Sequence, residues 1–219
     1  MKIYALCASP RKRWNSDQLL DAFVEGVREQ APEAEVEKVY LYDLDYKGCR
    51  SCFGCKLAKG DGSCVVRDSI HDLLIDIRKS DGFVYAAPIY FCDIPGQLRT
   101  FLERLMYPGP VGRELPVAAV YAMNANEHGW EAAIAPTIGV LHNYFQGNFG
   151  AQPREVVRAF DTMQRKPSDR YKPSKADHER KVACHDEVWP SELQRTREAG
   201  KRFAAHVQHP EEQALEADL

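Results

Sequence analysis

No uninterrupted apolar run in this 219-residue chain approaches the ~18 residues of a membrane span, so no transmembrane helix is expected. Charge of one sign is not in excess either. The formal net charge is −3 and the pI near 6.2, which gives no global pull toward nucleic acid or an anionic membrane. The opening MKIYALCASPRKR lacks the regions of a signal peptide, and a cytoplasmic protein is expected. Neither G-x-x-x-x-G-K-[ST] nor G-x-G-x-x-G occurs, which argues against a nucleotide-hydrolysis loop and a dinucleotide turn. The seven histidines show no HExxH or other paired ligand spacing. Seven cysteines cannot all pair within one chain, and clustered thiols in a reducing compartment more often bind metal or serve redox chemistry than form disulfides. Internal repeats and a second domain are absent from the pattern.

What is present is alternation. Lys2 to Ala8 is a short apolar run of β-formers, followed by Leu19, Phe23 and Val27 on one side of a helix that begins near Ser16 and closes at Pro32. Val36, Val39 and Leu41 fit a second strand. Asp68 suits the N-cap of a helix carrying Ile70, Leu73, Leu74 and Ile77. GFVYAAP, residues 82–88, is the kind of continuous apolar run that fills the centre of a parallel sheet. Leu98, Phe101, Leu102 and Leu105 mark a third helix, Pro116 to Met123 a fourth strand, Trp130 to Phe145 a fourth helix and Arg154 to Phe160 a fifth strand. Five strand–helix alternations predict an α/β fold: a flavodoxin-like three-layer sandwich with a five-stranded parallel sheet, order 2-1-3-4-5. One domain over residues 1–207 is expected, with an exposed polar excursion over 161–190, a C-terminal helix over 190–207 and an acidic tail over 208–219.

Ligands of such sheets bind beyond the carboxyl ends of the strands, so the loops after strands one, three and four are the places for chemistry. ASPRKRWNS, residues 8–16, offers Ser9, Arg11, Asn15 and Ser16 at the start of a helix, a set suited to a phosphate monoester. APIYF brings Pro88, Ile89, Tyr90 and Phe91 to where a planar ring would lie, and Asn124 can meet a polar ring edge. Phosphate grip, aromatic flank and polar edge describe a site for a mononucleotide with a flat ring, and FMN fits. Backbone N–H groups at 89–91 and Asn124 are expected to face negative charge on that ring.

These motifs resemble the NAD(P)H-dependent FMN reductase and iron–sulfur flavoprotein group of the flavodoxin-like superfamily. That family typically opens with a strand and Gly-Ser-Pro-Arg-Lys-x-Gly-Asn-Thr; here the stretch reads Ala8-Ser9-Pro10-Arg11-Lys12-Arg13-Trp14-Asn15-Ser16. Trp14 in place of Gly matters most, because a loop using Gly for positive φ would have to adjust. The resemblance implies that Ser9, Arg11, Asn15 and Ser16 hold the FMN phosphate. Pro88, Ile89 and Tyr90 then line the ribityl chain and ring, and NAD(P)H is the co-substrate. It also implies a homodimer or homotetramer, with a small molecule (quinone, flavin, nitro or azo compound) or a protein as electron acceptor. Ala8 and Trp14 keep open a non-enzymatic phosphate- or metal-binding module of the same fold.

Cys49, Cys52, Cys55 and Cys64 lie in the loop after strand two, spaced by two, two and eight residues. Four thiolates suit a [4Fe–4S] cluster that relays single electrons, or a closed zinc site. The eight-residue final gap is longer than is usual in iron–sulfur flavoproteins, and with the charged KLAKGD it favours free thiols that shape a wall near the flavin.

Overall fold

A computed structural model of the chain describes residues 1–57, 63–164 and 175–210. β1 (Lys2–Cys7), β3 (Gly82–Pro88) and β4 (Val117–Ala122) form the buried middle of a parallel sheet, flanked by β2 (Glu35–Tyr40) and β5 (Glu155–Ala159) in the order β2-β1-β3-β4-β5. The three middle strands carry apolar side chains on both faces, because helices cover both. Tyr85 and Tyr121 point to one core with Phe101, Phe145 and Phe149. Ile3, Val84 and Val120 point to the other, with Phe23 and Phe203.

The first core is closed by α2 (His71–Lys79), α3 (Gly96–Met106) and α5 (Ala135–Phe149). A short α4 (Glu127–Gly129) and a π-helical turn over Trp130–Ile134 lead into α5. The second core is closed by α1 (Asn15–Gln30) and α6 (Lys175–Gln208).

Two local expectations change. Asp68 does not cap α2 from the N-cap position, which Ile70 occupies. Its Oδ1 accepts from the Ile70 N–H, while its other oxygen pairs with Arg104. The C-terminal helix does not begin near Pro190: α6 starts at Lys175 and carries Pro190 inside it. A proline there removes a backbone donor and crowds the preceding turn. The neighbouring Trp189 holds that turn against the body of the protein, because its Nε1 donates to Gln18 Oε1 of α1 (2.7 Å) while its ring stacks on His185. The excursion expected over 161–190 is therefore helical from Lys175. Its residues 165–174, and the tail from residue 211 on, lie outside the described residues.

Candidate functional site

The β1–α1 turn is built around one buried carboxylate. Asp17 is fully buried, and its Oδ2 accepts the Arg13 N–H (2.5 Å) and the Tyr40 hydroxyl (3.3 Å). Its Oδ1 pairs with Lys38 at 2.5 Å. Burial alone would raise the Asp17 pKa; Lys38 and the Arg13 amide outweigh it and hold the carboxyl below its ordinary value. This anchor pins Arg13 in the left-handed region at φ 59°, whereas Trp14 is extended. The residue that needs unusual backbone geometry is thus Arg13, and Trp14 in place of glycine demands no adjustment. Among the described residues no side chain caps α1, and the N–H groups of a helix start suit an anion.

Ser9, Arg11, Asn15 and Ser16 of this turn, Pro88, Ile89 and Tyr90 after β3, and Asn124 after β4 line one cavity at the carboxyl edge of the sheet. Phe91 does not line it. Phe91 and Cys92 form a two-residue turn closed by hydrogen bonds between Tyr90 and Asp93, with φ 48° and 62°, and the Phe91 ring is fully exposed. The backbone donors expected at 89–91 are partly committed elsewhere: Ile89 N–H donates to Ala122 O (3.0 Å) and Tyr90 N–H to Asp93 O (2.8 Å).

Sequence reading missed the segment after β5. Thr162 and Gln164 also line the cavity. Thr162 is docked on Met123 O through its amide (2.9 Å) and hydroxyl (3.0 Å). Asn15 Nδ2 donates to Met163 O (2.8 Å), and the Arg11 guanidinium donates to Gln164 O. From α6, buried Lys181 donates to the Asn124 side-chain oxygen and to Asp161 (2.8 Å). Arg180 and Lys181 hold Asp161 at about 2, well below the usual carboxylate range. A polar segment after the last strand gave no periodic signal for this docking.

The cysteine segment forms a second centre. Cys49, Cys52, Cys55 and Cys64 line one small cavity together with Phe53, Val65, Tyr107 and Arg104. Burial pushes the Cys55 thiol up, and the neighbouring Cys64 and Cys49 push it the same way. Among the described residues no three His, Cys, Asp or Glu side chains converge on one position that a single metal ion would take. A zinc site needs such convergence at about 2.3 Å per sulfur. A four-iron cluster spreads its thiolates around a larger body.

An open parallel sheet of this order, with helices on both faces and a lined cleft beyond the carboxyl ends of its strands, defines a flavodoxin-like protein. More narrowly, the chain belongs to the NADPH-dependent FMN reductase family, whose pattern matches residues 1–146. It is accordingly an oxidoreductase of the NAD(P)H-dependent FMN reductase type. It is 29% identical over 163 residues to an iron–sulfur flavoprotein of Archaeoglobus fulgidus, a match spanning 71% of this chain and 72% of that one. The solved NAD(P)H:quinone oxidoreductase from Methanothermobacter marburgensis superposes with a TM-score of 0.64 at 18% identity, covering 95% of this chain and 98% of that one. An FMN-dependent NADH-azoreductase from Bacillus anthracis, in complex with FMN, gives 0.64 at 17% identity, covering 93% and 100%. At such identities the two structural likenesses show a shared fold.

Proposed function

We propose that this chain oxidises NAD(P)H through FMN held in the cavity between Ser9 and Asn124, and passes the electrons to a small acceptor or a protein. The observation that carries the reading is the convergence of an uncapped helix start, Arg11, Asn15 and the Pro88–Tyr90 flank on one cavity. When bound, FMN supplies the redox chemistry, taking two electrons from a nicotinamide and releasing them singly or in pairs.

The chain's own work is binding and electrostatics. Ser9, Arg11, Asn15 and Ser16 hold the phosphate; to do so Arg11 and Asn15 exchange the carbonyls of Gln164 and Met163 for phosphate oxygens. Pro88, Ile89 and Tyr90 line the ribityl chain and ring. Lys181 holds the Asn124 side-chain oxygen, which leaves the Asn124 amide hydrogens for acceptors on the ligand. No side-chain base is required. The quinone, flavin, nitro or azo compounds are small planar acceptors suited to such a site, and exposed Tyr90 and Phe91 beside it suit completion by a second subunit in a homodimer or homotetramer. Titrating the purified protein with FMN and following quenching of flavin fluorescence tests the cofactor. Saturable one-to-one uptake is expected, and no uptake overturns the proposal.

A second reading concerns the cysteine cavity. That all four thiols line one nearly apolar cavity favours a [4Fe–4S] cluster over a wall of free thiols. Cys49, Cys52, Cys55 and Cys64 would be its ligands, and the cluster would supply one-electron relay. The relative from Archaeoglobus fulgidus, itself an iron–sulfur flavoprotein, supports the same reading. Iron and acid-labile sulfide assayed in anaerobically purified protein decide it; neither above background overturns it.

A further inference from the structure

One fully buried cation borders the four-thiol cavity, and no step of the flavin reaction uses it. Arg104 lies on α3 among Phe101, Leu102 and Leu105, and is 1% exposed. Its Nη1 donates to Asp68 and to Lys47 O (3.2 Å), and its Nη2 donates to Val66 O (3.0 Å). Lys47 precedes Cys49 and Val66 follows Cys64, so one guanidinium ties both ends of the cysteine segment together. Its Nε is buried with no hydrogen-bond partner among the described residues. Arg104 and Cys64 line the same cavity.

A structural staple accounts for the two carbonyl contacts but not for a charge left bordering an apolar cavity. Burying a guanidinium is costly unless an anion offsets it. Asp68 is only a partial partner: its side chain is 20% exposed against 1% for Arg104, so water screens the carboxylate more than the cation. The remaining field falls on the sulfurs. Four thiolates outweigh the positive charge of an iron–sulfur core, so the ligated cluster is an anion, and one-electron reduction makes it more negative.

We infer that Arg104 is the charge partner of the four-thiolate site, a positioning residue that raises the reduction potential of the cluster bound there. The inference rests on the cluster reading given above. It predicts opposite effects from removing each half of the Arg104–Asp68 pair. In Arg104→Gln, reduction becomes roughly tenfold less favourable, a shift of about 59 mV to more negative potential for a one-electron couple. Arg104→Lys keeps the charge and restores most of that shift. Asp68→Asn removes the counter-charge and moves the potential the other way.

The experiment is an anaerobic redox titration of the full-length, FMN-loaded protein and these variants, followed by the paramagnetic signal of the reduced cluster. Shifts of opposite sign support the inference, and where Arg104→Gln does not fold, a positive shift in Asp68→Asn with Arg104→Lys near wild type does so. Equal potentials in every cluster-bearing protein overturn the inference and leave the cluster reading standing. A wild-type protein without iron and sulfide overturns both.

Discussion

Arg13 and Trp14 show how far single residues can be read. The turn after the first strand stood out because hydroxyl, amide and guanidinium groups before a helix suit the grip of an anion as well as an ordinary solvated turn. Which residue takes positive φ was not legible, because Asp17, four positions further on, accepts the Arg13 N–H and decides it. Arg104 left only a faint trace: a charged residue three positions after Phe101, on the stripe that the periodicity assigns to the core. Two predictions belong at this scale. Arg11→Ala and Asn15→Ala each weaken FMN binding, Arg11→Ala by roughly 10- to 100-fold because a charge-assisted contact is lost; fluorescence titration reads this, and unchanged affinity in both moves the phosphate elsewhere. The second concerns His142, whose Nε2 meets the Tyr121 hydroxyl at 3.0 Å. Burial pushes its pKa down to about 4 from an ordinary 6.5. The unfolded chain therefore binds a proton there that the folded chain refuses, and stability falls as pH drops from 6.5 toward 4. The loss is about 1–2 kcal/mol by pH 5. Urea midpoints at pH 7 and pH 5 should differ less in His142→Phe than in the wild type.

Elements show a different division between what sequence says and what packing decides. Strand–helix alternation was legible because period and apolar runs reflect burial directly, whereas the sheet order came from the arrangement usual for five such strands. The extent of α6 was not: Pro190 reads as a boundary, and only the tertiary anchor of Trp189 on Gln18 carries the helix across it. The same helix crosses α1 through two glycines. A Cβ on Gly200 would strike the Phe23 carbonyl, and one on Gly26 the Arg197 carbonyl. In an open helix Gly→Ala stabilises by about 1 kcal/mol. Here Gly200→Ala should reverse the sign and destabilise by about 1–3 kcal/mol, because the helices must separate. A raised urea midpoint would contradict this close crossing. The Phe91–Cys92 turn stores strain of the opposite kind. Both residues have the positive φ that such two-residue turns usually assign to Asn-Gly. Phe91→Asn with Cys92→Gly is expected to stabilise the fold by about 1 kcal/mol or more. If Phe91 serves the flavin site, the same change lowers the turnover rate while raising the melting temperature; unaltered turnover assigns the ring no part there.

At the scale of the molecule, two cavities divide the chemistry between opposite demands. One unites cationic and hydroxyl groups around a helix start at the carboxyl edge of the sheet and suits a phosphate-bearing ring. The other is lined by four thiols and the buried guanidinium of Arg104 on α3, and is the one proposed above for an anion of sulfur and iron. The first was legible in short motifs because its residues sit in consecutive loops of a regular fold. In the second, the cysteine spacing was visible, but the shared cavity was not, because it depends on Arg104 holding the Lys47 and Val66 carbonyls on either side of the segment. The central claim is that the first cavity holds an FMN which NAD(P)H reduces. It is tested most directly by the absorption spectrum of the FMN-loaded protein, stripped of free flavin and titrated anaerobically with NADPH and NADH. The account predicts flavin bands that bleach at about one equivalent of nucleotide; protein that is colourless after FMN loading, or bands unmoved by excess of either nucleotide, would contradict it.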